Sequence, residues 1–173
     1  MCAASTAESP ATIDPAAQAP ATLVIGLGNP LLGDDGVGWR VVGAVEAVSD
    51  RPDLAFDYLS VGGLSLMERL VGASRVILVD AVVSGRDPAG TVTVSGLPEF
   101  ASRAPGHLDN AHDVSLAAAL DVGRSMGAVL PDEVSVVTVE ASRVHEFGAP
   151  MTPEVAAAVR VAADRVLALL ETA

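Results

Sequence analysis

The stretch Leu23-Val24-Ile25-Gly26-Leu27-Gly28-Asn29-Pro30-Leu31-Leu32-Gly33-Asp34-Asp35-Gly36-Val37-Gly38 decides the fold. Its apolar run from Leu23 to Ile25 has the composition of a buried strand. The run gives way to a turn rich in Gly, Asn and Pro, and leaves through Asp34-Asp35 into a helical pattern. Gly26 and Gly28 let the backbone bend sharply and leave space above the strand end. Asp34 suits a helix N-cap, because its carboxylate can accept from the free N–H groups of the first turn. One carboxylate suffices for a cap, which leaves Asp35 open to a functional role. A dinucleotide fingerprint would need its third glycine at position 31, and the chain has Leu31 there. Two acids at the helix start would also repel a pyrophosphate, which wants bare N–H groups. A strand end that offers carboxylates to a cation suits these residues better.

Outward from this stretch, Asp35 to Ser49 reads as an amphipathic helix, with Val37, Val41, Val45 and Val48 on one stripe. Arg51-Pro52-Asp53 breaks it. Leu54 to Ser60 reads as a second strand, followed by Gly62-Gly63 and a short helix from about Leu64 to Val71. Arg75 to Val79 is the clearest buried strand, and it ends at Asp80. A charged residue directly after a buried parallel strand lies at the carboxyl edge of the sheet, where open α/β folds put their sites. A loop Asp that caps a turn is the plainer alternative.

Gly90 to Ser95 reads as a further strand after the polar turn Ser84 to Pro88, and Glu99 to Asn110 as an irregular polar connection containing His107. His112 precedes an Ala- and Leu-rich helix reaching about Met126, with Asp113 or Asn110 available as its cap. Val134 to Val139 is another strand, and Glu140 to Pro150 a loop holding His145. Thr152 starts the last helix, with Pro153 at its first position and Glu154 near the positive end of the dipole. Its apolar positions are Val155, Val159, Ala162, Val166 and Leu169 or Leu170. The alternation predicts an α/β fold: a single layered domain with a mixed, mostly parallel sheet of about five strands and helices on both faces. The strand at Gly90 follows the one ending at Asp80 without a helix between, so one strand is expected to be antiparallel. Residues 1–20 read as a disordered N-terminal tail and 21–173 as the domain.

Composition narrows the function. A net charge of −12 over 173 residues argues against nucleic acid, whose phosphates need clustered Lys and Arg. There is no lysine at all, which removes a Walker-type phosphate lysine and Schiff-base chemistry. Cys2 is the one cysteine, in a tail that cannot hold a base beside it, so it is not read as a nucleophile. A single cysteine is consistent with the cytoplasm. No apolar run reaches the length of about 18 residues that a membrane span requires, and the first twenty residues lack the features of a signal peptide.

Asp35, Asp80 and His112 remain as the constellation that carries chemistry. No local metal motif links them: there is no His-Glu-x-x-His and no Cys pair. If they converge at the sheet edge, two carboxylates and an imidazole form an open site for a borderline divalent ion such as Ni, Zn, Mn or Fe. A Ser-His-Asp hydrolase with Ser115 or Ser84 as nucleophile is the rival, weakened by the lack of a Gly-x-Ser-x-Gly elbow.

The segment Gly26 to Gly38 resembles the N-terminal signature of the nickel–iron hydrogenase maturation endopeptidases. Val79-Asp80-Ala81 and Ala111-His112-Asp113-Val114-Ser115-Leu116 resemble that family's second and third motifs, and Gly62-Gly63 with Leu66 resembles its variable loop after the second strand. The likeness runs in order from about residue 22 to 171. It implies a cytoplasmic endopeptidase that removes a C-terminal extension from a nickel-loaded [NiFe]-hydrogenase large-subunit precursor; nothing in the sequence demands more than a monomer. Carried across motif by motif, the metal-binding and catalytic positions are Asp35, Asp80 and His112, with nickel supplied by the precursor. Some relatives have Glu at the first position and Gly-Thr where this chain has Gly62-Gly63, so substrate choice can differ. Two alternatives use the same residues: a non-catalytic nickel-sensing chaperone, and a metal-independent peptidase in which Asp35 and Asp80 share a proton. His107 and His145 are read as surface residues.

Overall fold

A computed structural model describes residues 21–103 and 115–172. Five strands form one sheet: β1 (Thr22–Leu27), β2 (Leu54–Leu59), β3 (Arg75–Val82), β4 (Val92–Gly96) and β5 (Glu133–Glu140). Their order is β2-β1-β3-β5-β4, with β4 antiparallel to β5 and every other pairing parallel. The single antiparallel strand is the one that lacks a preceding helix, because only a crossover can return the chain to the parallel direction.

The helices are α1 (Val37–Glu46), α2 (Gly63–Arg69), α3 (Leu97–Arg103), α4 (Leu116–Ser125) and α5 (Pro153–Glu171), with a 3-10 turn at Gly33–Gly36 before α1. They cover both faces of the sheet. On one face α1 and α5 pack Val41, Val45, Ala162 and Val166 against Val24, Ile77 and Val137. On the other, Leu66 of α2, Phe100 of α3 and Leu116 and Leu120 of α4 meet Ile25, Leu78 and Val136. The three central strands are buried on both faces, and so read as continuous apolar runs rather than alternating ones.

Several expectations shift at the element ends. The first helix begins at Val37 and ends at Glu46; Asp35 belongs to the 3-10 turn, and Val48 lies beyond the helix and is exposed. Strand β3 does not stop at Asp80 but continues to Val82, so Asp80 is a ladder residue paired with Thr138. Leu97–Arg103 is a helix where an irregular connection was expected. Its Leu97 and Phe100 are buried one turn apart, and Pro98 sits in the first turn, where its missing N–H costs nothing. Ser115 caps α4, accepting from the Ala118 N–H at 3.2 Å. The expected caps, Asn110 and Asp113, lie outside the described residues, as does the expected tail, residues 1–20.

Candidate active site

The site is built on the turn between β1 and α1. The start of α1 rests directly on the ends of two strands: a Cβ added at Gly38 would lie 2.3 Å from the Leu27 carbonyl oxygen and 2.4 Å from that of Val79. No side chain fits between the helix and the adjacent strands β1 and β3. Gly28 has φ +110° and a similarly close neighbour, the Asp35 carbonyl oxygen, 1.9 Å from where a Cβ would stand. These contacts bring the 3-10 turn onto the end of β3, so Asp35 and Asp80 stand at the same carboxyl edge of the sheet. Gly38→Ala is expected to cost about 3 kcal/mol, since both obstructing atoms are backbone and neither can rotate away. A drop in the urea midpoint at unchanged slope would register it.

The two consecutive acids have different surroundings. Asp34 is fully buried and is not a helix cap: the residue in that position is Leu32, with no side-chain bond. Its Oδ1 accepts from the Thr152 N–H at 2.7 Å and the Thr152 hydroxyl at 2.9 Å. Its Oδ2 accepts from the N–H groups of Ser142 at 3.2 Å and Arg143 at 3.0 Å, and from the Ser142 hydroxyl at 3.4 Å. Asp34 thus ties the turn after β1 to both ends of the loop after β5. Burial alone would raise its pKa, but the donors from Thr152, Ser142 and Arg143 outweigh it and hold the carboxyl below its ordinary value.

Asp35 is half-buried. Its Oδ2 accepts from the Asn29 N–H at 2.6 Å, and its Oδ1 accepts no hydrogen bond within the described protein. Asp80 is buried on β3, with Oδ1 accepting from the Ala81 N–H at 2.9 Å. A carboxylate in the turn after β1 and one on the adjacent strand β3 can provide hard oxygen ligands or an acid/base pair. His112, the third expected member, lies outside the described residues, as does His107, while His145 is exposed. The serine-nucleophile alternative gains nothing: Ser115 Oγ caps α4, and Ser84 Oγ donates to Glu140 at 2.7 Å rather than to a histidine.

Comparison with known proteins identifies the family. The hydrogenase maturation protease profile matches residues 60–169. The chain belongs to the hydrogenase maturation protease family. The Hydrogenase 2 maturation protease of Escherichia coli (strain K12) is 32% identical over 152 residues, covering 86% of this chain and 89% of that protein. Among solved structures, the hydrogenase maturating endopeptidase HybD from E. coli superposes with a TM-score of 0.71 at 29% identity, covering 87% of this chain and 92% of that one. A hydrogenase 2 maturation peptidase from a Thaumarchaeota archaeon gives 0.62 at 30% identity, over 86% and 97% respectively. As a member of the hydrogenase maturation protease family the chain is a peptidase, and its five-stranded mixed sheet is the fold of those relatives.

Sequence reasoning missed the role of Asp34. Its signal was present, since an acid between Gly33 and Asp35 after a buried strand has several ways to be satisfied, but the partners lie more than a hundred residues away in the chain.

Proposed function

We propose that this peptidase removes the C-terminal extension from a nickel-loaded [NiFe]-hydrogenase large-subunit precursor, with Asp35, Asp80 and His112 as the residues that meet the nickel. The observation that carries the reading is the placement of Asp35, in the turn after β1, and Asp80, on the adjacent strand β3, at one carboxyl edge in a chain of this family. Carboxylate oxygens and a neutral imidazole suit a borderline ion that arrives already ligated by its substrate, since neither ligand type demands a closed cage. Nickel is on this view part of the substrate rather than a resident cofactor. Bound there, it would hold the scissile peptide near the site and polarise its carbonyl. Hydrolysis adds water across the peptide bond: the water oxygen joins the carbonyl carbon, the C–N bond breaks, and the departing amine takes a proton. A carboxylate not committed to the metal can carry that proton.

The enzyme is proposed to work in the cytoplasm as a monomer. The lone cysteine supports the compartment, and among the described residues no helix is long and apolar enough to cross a membrane. Intact mass of the precursor, with and without nickel, tests the reading. Loss of a C-terminal peptide from the loaded form alone is the expected result. Binding without mass loss would instead make the protein a nickel-sensing chaperone. Equal cleavage of both forms would remove nickel from the recognition step and leave Asp35 and Asp80 as an acid/base pair.

A further inference from the structure

Beside Asp80 the sheet carries a shallow groove that is open to solvent. Its floor follows from the strand register. On the face that also carries Leu78 and Val136, Asp80 lies across from Thr138, and Thr138 across from Thr93 on the edge strand β4. Further along β3, Val82 lies across from Glu140. Phe100 of α3 lines the groove opposite these strands. The groove therefore begins one residue-pair away from a proposed nickel-binding carboxylate and runs outward to the sheet edge.

Arg86 and Asp87 also line it, and Ser84, Thr91 and Glu140 are already committed to hydrogen bonds. The Glu140 carboxylate accepts from the N–H groups of Ser84 at 2.8 Å and Gly85 at 2.9 Å and from the Ser84 hydroxyl at 2.7 Å. The Thr91 hydroxyl donates to the Pro88 carbonyl at 2.7 Å. The hydroxyls of Thr93, Ser95 and Thr138 make no hydrogen bond within the described protein, although Thr138 is only 6% exposed. Each hydroxyl can donate once and accept twice, so each can meet either an N–H or a C=O. Thr138 and Thr93 face each other across β5 and β4, with Ser95 two residues further along β4, so an extended polypeptide crossing the patch can pair its N–H and C=O groups with them whatever its side chains. Val82 and Phe100 supply an apolar wall for one side chain beside them.

We infer that this groove binds the stretch of precursor polypeptide next to the scissile bond, in extended form, with Thr93, Ser95 and Thr138 hydrogen-bonding its backbone. The identity of the occupant rests on the proposed function; the adjacency of the groove to Asp80, through the Asp80–Thr138 pair, does not. A peptide laid along it would reach the acidic edge end-on, so the groove acts as a positioning element that sets which bond is presented.

The experiment joins kinetics to capture. The double variant Thr93→Val, Thr138→Val keeps the side-chain shape and removes two hydroxyls. It is expected to raise KM for the nickel-loaded precursor about tenfold or more, with kcat little changed. A photoreactive p-benzoylphenylalanine replacing Ser95 should crosslink the precursor within a few residues of the cut, mapped by mass spectrometry. If wild-type enzyme cleaves the precursor and the double variant has wild-type KM, the groove assignment is overturned and the function stands. If wild-type enzyme leaves the loaded precursor intact, the functional reading fails, and the crosslink alone decides the groove. Capture of a distant segment, or none, overturns it. Should the double variant fold poorly, the crosslinking arm still decides between these outcomes.

Discussion

Asp34→Ala is expected to lower stability by about 3 to 5 kcal/mol, because it strands several buried donors at once. Thr152 contributes an N–H and a hydroxyl and is itself buried, while Ser142 and Arg143 contribute N–H groups to the other oxygen. With a urea slope of about 1 to 3 kcal/mol per molar, the midpoint should fall by more than about 1 M. Asp34→Asn should show a smaller loss, since one oxygen remains to face Thr152 while an amide N–H₂ would oppose the N–H groups of Ser142 and Arg143. The pH dependence has a definite sign. The folded carboxyl is held below its ordinary value of 3.8 despite burial. Its contribution is therefore fully present above the unfolded pKa of about 3.9, and is lost as pH falls through the lower folded value. The gap between wild type and Asp34→Asn should stay constant from neutral pH down to about 5 and close at more acid pH. Equal midpoints at neutral pH would mean that the loop after β5 is held without this carboxylate.

Where the sequence could be read, the information was local. The sheet was legible because each buried strand is a short apolar run bounded by turn residues, and because the missing helix before Gly90 forced one strand to reverse. The helix Leu97–Arg103 was not legible: Leu97 and Phe100 are the buried positions among its described side chains, too few to set a period against the preceding Gly96 and the Pro98 in its first turn. Asp80 stands out in the sequence, yet for an incomplete reason. It does not follow the strand but occupies a ladder position within it, and its cross-strand partner Thr138 could not be known without the register. Asp34 failed as a cap for a similar reason. A local N–H and a distant N–H are equally good donors, and the sequence displays only the local ones.

The contrast between Asp34 and its neighbours gives the second large effect. Asp35→Asn and Asp80→Asn are each expected to cut precursor processing by a factor of about 10² to 10⁴, whether the lost charge serves as ligand or as proton carrier. Asp35→Asn should not unfold the protein: Asp35 uses one oxygen to accept from Asn29, and an asparagine oxygen can take over that bond. Its urea midpoint should therefore stay near wild type, in contrast to those of Asp34→Asn and Asp34→Ala, and the midpoint of Asp80→Asn is measured beside it. That separation excludes unfolding as the cause of the lost activity. Asp35→Glu tests charge against reach. It keeps the carboxylate and lengthens the arm by one methylene, so processing should survive at a reduced rate. Processing at the wild-type rate by both asparagine variants would end the assignment of these residues to the site. Loss in Asp80→Asn alone would make Asp35 a residue that shapes the turn through Asn29 and nothing more.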